Sequence, residues 1–140
     1  MVGLGPGARA YTRAVHYSTD YAVGRRGVVS IIEDYASRTE ERFAMVDYGF
    51  VLDAHEQRRR MVAISVLSGA GLDDAMYRAQ FGESSREAWP QLEELVTLGL
   101  AVREGDVLRL TPAGQSRADV IGPWLYSEPV QSLMTEYELR

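Results

Sequence analysis

Residues 84–117, SSREAWPQLEELVTLGLAVREGDVLRLTPAGQSR, restrict the possible folds more than any other part of this chain. Leu92, Leu95, Val96 and Leu98 recur at three- and four-residue spacing, which predicts an amphipathic helix. Gly99 stops that helix and places Leu100 to fold back on its last turn. Two short apolar-rich runs follow, 100–103 and 107–110, separated by Glu104-Gly105-Asp106, a turn of the kind that closes a hairpin. Thr111 then sits where an N-cap hydroxyl accepts a backbone N–H, and Pro112 takes the first helical position, where its missing donor costs nothing. Helix, hairpin and helix in this order predict a winged helix, and an α+β, mainly α chain.

The residues ahead of this stretch supply the other helices of such a unit. Asp53 is an N-cap and Glu56 can reach back to the backbone, which predicts a helix over 54–67 with Met61, Val62, Ile64 and Leu67 inward. Arg58, Arg59 and Arg60 lie on its first half. Three consecutive residues fan around a helix, so they read as a solvated face with ion pairs rather than a phosphate-binding stripe. Gly69-Ala70-Gly71 breaks the helix, and Asp73 caps a second one ending at Phe81-Gly82, with Met76, Tyr77 and Phe81 toward the core. Ser84 and Glu87 form a capping pair, but Pro90 lacks an N–H and collides with the preceding turn, so the third helix either kinks there or effectively begins near Trp89, the second being preferred. After the hairpin, helical residues 113–126 carry Val120, Ile121, Trp124 and Leu125, with an interruption at Gly122-Pro123. The tail from Ser127 is weakly amphipathic.

The chain opens with Gly3-Leu4-Gly5-Pro6-Gly7-Ala8. Alternate glycines let a backbone pass close to a ligand or another strand, but no Lys-Ser/Thr follows and the last glycine of a dinucleotide-binding fingerprint is displaced. Residues 12–27 read as irregular. Val28, Ile31, Ile32 and Tyr35 form one face of a short helix over 28–37, and 38–47 reads as a connection. The expected organisation is therefore a first segment over 1–47, a winged-helix domain over 48–127 and a tail over 128–140.

Composition removes whole classes of chemistry. The chain has no cysteine, so disulfides, thiolate metal sites, cysteine nucleophiles and cysteine-held clusters are excluded within it. His16 and His55 are its two histidines, too few for a zinc site, and His55 and Ser65 lie too far apart along one predicted helix to form a nucleophile and base. No catalytic and no metal-binding residue is expected. All fifteen basic residues are arginine and the net charge is −5, which argues against a nucleic-acid partner. No apolar run is long enough to span a membrane and no secretory signal is visible, so the expected location is cytoplasmic.

The order helix, Gly71-Leu72-Asp73, helix, Phe81-Gly82, helix with Leu98-Gly99-Leu100, hairpin, Leu110-Thr111-Pro112-Ala113-Gly114 resembles the C-terminal domain of radical S-adenosylmethionine proteins of the oxygen-independent coproporphyrinogen III oxidase type. Arg59-Arg60 is similar to a paired arginine those oxidases carry on the equivalent helix. Gly3-Leu4-Gly5-Pro6-Gly7-Ala8 is similar to the stretch that ends one of the family's barrel strands beside S-adenosylmethionine. The resemblance implies that Gly3, Gly5, Gly7 and Ala8 form an edge of that cofactor's site in a parent enzyme, and that 1–47 is the remnant of a partial barrel. It also implies a parent using a [4Fe–4S] cluster and S-adenosylmethionine for oxidative decarboxylation of porphyrinogen propionates.

This sequence departs from the family by lacking the Cys-x-x-x-Cys-x-x-Cys motif, so no cofactor is expected in this chain alone. Three readings follow: a non-catalytic C-terminal domain or fragment that covers the substrate mouth of a catalytic barrel, its partner; a stand-alone winged-helix transcription regulator; and a haem-binding or haem-chaperone fragment using His16 or a tyrosine. The glycine-rich start favours the first.

Overall fold

The protein is represented by a computed structural model that describes residues 2–19, 24–46 and 48–136. Residues 20–23 of the segment expected to be irregular, Asp47 at the expected domain boundary and 137–140 of the tail lie outside the described residues. The chain divides into two compact units, one of Met1–Gln57 with Leu133–Arg140 and the other of Arg58–Ser132.

The first unit contains β1 (Arg9–Tyr11), β2 (Val15–Ser18), α1 (Arg25–Ser37), α2 (Glu40–Phe43) and β3 (Tyr48–Val51). The strands form an antiparallel sheet in the order β1-β2-β3. This corrects the irregular reading of the segment from residue 12. Val15 to Ser18 are β-branched, aromatic or small residues that suit a half-buried pleat, although they show no apolar alternation. Thr12 closes the β1–β2 hairpin, since its N–H donates to Val15 O at 2.9 Å and its hydroxyl accepts from Val15 N at 2.9 Å. Tyr11, His16 and Phe50 stand in one cross-strand row, where His16 stacks on Tyr11 at 4.4 Å and meets Phe50 edge-on at 5.3 Å. Helix α1 begins three residues earlier than expected and turns Ile31 and Tyr35 inward, while Val28 and Ile32 are exposed. The expected connection contains α2, whose amides at Arg42 and Phe43 donate to Thr39 O.

Helix α3 (Ala54–Leu67) has the expected bounds, and Asp53 Oδ1 accepts from Glu56 N at 2.7 Å. Its buried face is a correction. Val62, Ala63 and Val66 point into the core, whereas Ile64 is 58% and Leu67 39% exposed. The stripe Arg59, Val62, Ala63, Val66 keeps the helical spacing but lies about one residue's rotation from the expected face.

The remaining elements of the second unit follow in order: β4 (Leu72–Asp73), α4 (Asp74–Phe81), α5 (Ser85–Ala88), α6 (Leu92–Thr97), β5 (Ala101–Glu104), β6 (Val107–Leu110), α7 (Pro112–Gln115) and α8 (Ala118–Trp124); the boundary between the units falls within the last helix, α9 (Glu128–Glu136). The short strand β4 joins the hairpin to make an antiparallel sheet in the order β4-β6-β5. Asp73 caps α4, accepting from Ala75 N at 2.8 Å and Met76 N at 3.2 Å, and Gly82 ends that helix at φ 79°. Tyr77 is fully buried and Phe81 packs against the core, but Met76 is exposed. Pro90 divides the predicted third helix in two. Trp89, Pro90 and Gln91 carry the chain between α5 and α6, with their carbonyls accepting from the amides three residues on.

Leu92 and Leu95 of α6 are buried and Leu98 is exposed, contrary to expectation, because Leu98 already lies in the turn that Gly99 closes at φ 69°. Leu100 folds back as expected, its N–H donating to Leu95 O at 2.8 Å. The hairpin loop is Gly105-Asp106, so Glu104 belongs to β5 and pairs with Val107. Beyond it the helix breaks at Ser116-Arg117 rather than at Gly122-Pro123, leaving Ile121 and Leu125 inward and Val120 and Trp124 outward. A Cβ on Gly114 would collide with Leu100 O, so α7 lies against the hairpin only because that position has no side chain.

A buried carboxylate joins the elements of this unit. Asp74, 5% exposed, accepts at Oδ1 from Ser84 Oγ at 2.9 Å, Ser85 N at 2.6 Å and Ser85 Oγ at 2.7 Å, while Arg78 donates to Oδ2 at 3.1 Å. Burial by itself raises the carboxyl's pKa, but the hydrogen bonds from Ser85, Ser84 and Arg78 outweigh it and hold the group below the ordinary aspartate value of 3.8. A depressed native pKa adds stability that is fully present above the ordinary aspartate range and is lost as the pH falls from there toward the native value. Asp74→Ala should destabilise this unit by about 2–4 kcal/mol, because it strands the donors of Ser84 and Ser85 in a buried site. In denaturant titrations, Asp74→Asn should flatten the acid-side loss of stability. An unchanged acid limb would contradict this assignment.

Candidate functional site

In the first unit, three of the sequence-predicted site residues, Gly5, Gly7 and Ala8, come together in one turn, and Gly3 lies just ahead of it, close to Ala8 and Arg9. Ala8 N donates to Gly5 O at 3.2 Å across Pro6-Gly7, with Gly7 at φ 72°, which makes a proline-glycine turn with glycine in the position that requires positive φ. Two side chains of the same unit hold it. Gly5 N donates to Tyr35 Oη at 3.0 Å and Gly7 N to Thr19 Oγ1 at 2.7 Å. A Cβ on Gly3 would lie 2.5 Å from Arg9 O, so that glycine serves a close backbone approach within the chain. The turn's amides at Gly5 and Gly7 thus already have acceptors.

In the second unit, the arginines of α3 are half-buried rather than solvated, which corrects the sequence reading. Arg58 Nε lies 2.6 Å from Glu83 Oε1, and its guanidinium sits 5.4 Å from the Phe81 ring centroid. Arg59 lies over the Trp89 ring at 4.9 Å and donates from NH1 to Leu125 O at 2.8 Å, which ties α3 to the end of α8. Beneath it, Trp89 Nε1 donates to Tyr77 Oη at 2.8 Å. Burial pushes the Tyr77 phenol up, against the lowering effect of that hydrogen bond, so it remains neutral. These groups form a cross-brace through the domain. Sequence reasoning did not find this brace or the Asp74 junction, although the doublets Asp73-Asp74 and Ser84-Ser85 hold a signal: Asp73 and Ser84 cap helices, while Asp74 and Ser85 bridge them.

The face formed by α6 and the hairpin is acidic. Gln91, Glu93, Glu94 and Thr97 are exposed, as are Glu104 and Asp106 by the hairpin turn. The three arginines nearby are engaged in ion pairs or hydrogen bonds. Arg103 Nε donates to Glu93 Oε1 at 2.7 Å, and Arg86 NH2 donates to Gly105 O at 2.7 Å and reaches Asp106 at 3.4 Å. Arg109 donates to Gly69 O at 2.8 Å and pairs with Glu104 at 3.3 Å.

Among the described residues no group of three or more His, Asp or Glu side chains could hold a metal ion, and no helix is long and apolar enough to cross a membrane. A [4Fe–4S] cluster of the family's kind needs thiolate donors, and this sequence has none, so its residues do not fit that group.

Comparison with curated proteins and with solved structures gave no match. A family model described as the HemN C-terminal domain matches residues 52–116, which run from just ahead of α3 to the end of α7. Residues 52–116 of this chain are therefore similar to the HemN C-terminal domain.

Proposed function

We propose that this domain is a non-catalytic, winged-helix module of a radical S-adenosylmethionine enzyme resembling oxygen-independent coproporphyrinogen III oxidase. It works beside a catalytic barrel, in the same polypeptide or a separate one, and covers the mouth through which that barrel takes its substrate. The match of residues 52–116 to the HemN C-terminal domain carries this reading. The order α3, β4, α4, α5 with α6, then β5 and β6, and the sheet order β4-β6-β5, support the winged-helix assignment. The radical chemistry, an oxidative decarboxylation of porphyrinogen propionates, belongs to the partner barrel, which would hold the cluster and S-adenosylmethionine, since this chain has no thiolate ligand. The residues of this chain supply a braced surface. The turn of Gly3, Gly5, Gly7 and Ala8 is proposed as the cofactor's edge in the complete enzyme, on the strength of the motif and of the pre-shaped loop that Tyr35 and Thr19 hold.

The regulator reading meets an electrostatic obstacle. Helices that enter the major groove present basic or amide side chains to bases and phosphates, and duplex affinity grows from phosphate neutralisation. Here the corresponding face offers Glu93 and Glu94, and Arg86, Arg103 and Arg109 are paired with acids of the same surface. The haem reading rests on His16 or a tyrosine, and His16 is stacked on Tyr11 and meets Phe50 edge-on.

Adding this chain to a HemN-like barrel lacking its own C-terminal domain should restore porphyrinogen decarboxylation, and no gain in turnover would overturn the proposed role. Anaerobic reconstitution of the chain alone with iron and sulfide should give no stable charge-transfer band, and calorimetry with S-adenosylmethionine should be silent. A stoichiometric cluster would contradict the reading. Fluorescence anisotropy against random duplex at low salt should show no saturation even at about 10⁻⁴ M, the weak end of the non-specific range. Saturable, steeply salt-dependent binding weakened by Arg86→Ala would favour the regulator instead.

A further inference from the structure

We propose that helix α1 is a self-association surface on which a second copy of this chain docks antiparallel, helix against helix, about a twofold axis. No residue of α1 is buried, and its outward side carries Val28, Val29 and Ile32 at 39%, 46% and 49% exposure. Arg25, Val29, Ile32 and Ala36 follow the alternating four- and three-residue spacing of a helix-pairing seam. All four are exposed.

The charges identify the occupant. Arg25 and Arg26 stand in the first turn, where the helix dipole is positive, and Glu33 and Asp34 stand toward the other end, where it is negative. Each group is on the wrong side for the stability of an isolated helix. An antiparallel copy reverses the mismatch, bringing the basic end of each helix beside the acidic end of the other and setting the two dipoles in opposition. Arg26 and Glu33 are also seven residues apart and therefore share one flank of the seam. Antiparallel helices bring like flanks together, so Arg26 of each copy faces Glu33 of the other, giving two symmetric pairs in one isologous contact. A parallel pair would set Arg25 against its own counterpart in the seam and bring the basic ends of both helices together. Among the described residues no ion pair within the chain engages Arg25, Arg26 or Glu33; Asp34 is held by Arg38 at 2.7 Å. A thirteen-residue helix is about 20 Å long, so the contact is smaller than a standard interface and the association is weak.

This inference concerns the outward side of α1, whereas the proposed enzymatic role concerns residues 52–116 and the turn before β1. Sedimentation equilibrium of the full chain, from about 10 µM to about 1 mM, should show a monomer–dimer equilibrium. Ile32→Glu should weaken it by roughly tenfold or more while leaving the far-ultraviolet circular dichroism unchanged. Arg26→Glu should also weaken dimerisation, and the charge swap Arg26→Glu with Glu33→Arg should restore it. A chain that stays monomeric throughout would overturn the proposal and leave this apolar face to a different protein, such as a catalytic barrel. A dimer indifferent to Ile32→Glu, or a charge swap that fails to restore association, would equally overturn the antiparallel seam.

Discussion

The Asp74 carboxylate holds the second unit to one arrangement. It sits in the first turn of α4 and takes the hydroxyls of Ser84 and Ser85 and the Ser85 amide, so the starts of two successive helices, α4 and α5, are fixed around a single carboxylate oxygen. A buried charge tolerates this only when its acceptors are filled, and Arg78 completes the set on Oδ2. The position of α5 fixes Trp89, and Trp89 fixes the remainder. Its indole nitrogen binds Tyr77 on α4, its ring carries the Arg59 guanidinium, and Arg59 in turn holds the last carbonyl region of α8. The brace therefore runs from α4 through α5 to α3 and α8 on polar contacts, with the apolar core packed around it.

What could be read from the sequence, and what could not, follows from the range of the interactions. Caps and turns are decided by neighbours, so Asp53, Asp73, Gly82, Gly99 and Thr111 act where their residue types place them. The direction each helix faces is decided by distant partners. Helical spacing alone allowed Ile64, Leu67, Met76, Leu98, Val120 and Trp124 to point inward, yet all are exposed. Arg59 shows why: a charged residue at the head of the α3 stripe reads as solvent-facing until a Trp thirty residues later supplies a ring to cover it. The first sheet was missed for the same reason, since β3 joins β2 from thirty or more residues away.

The residues that carry the family resemblance are mostly joints. A Cβ on Gly71 would meet Leu108 O at 2.5 Å, one on Gly114 would strike Leu100 O, and Gly99 reverses the chain at positive φ. Such positions keep a fold in shape whatever surface it presents, which is why they announce a domain and not a substrate. The glycine-rich segment divides in the same way between local turn and distant anchors. Gly3, Gly5, Gly7 and Ala8 do form one loop, but the partners of its amides, Tyr35 and Thr19, lie 30 and 12 residues away, and nothing local marks them. The acids of α6 and the hairpin could be counted from the sequence, while the pairing of Arg86, Arg103 and Arg109 among them required the fold.

The dependence of the domain on the Asp74 junction is tested most directly by a double-mutant cycle in equilibrium unfolding, with Asp74→Asn and Ser85→Ala alone and together. Groups that share a buried hydrogen-bond network should show a coupling of about 1 kcal/mol or more, whereas Asp74→Asn paired with the surface change Ser116→Ala should be additive. Additivity between Asp74 and Ser85 would contradict the junction as the element that organises this domain.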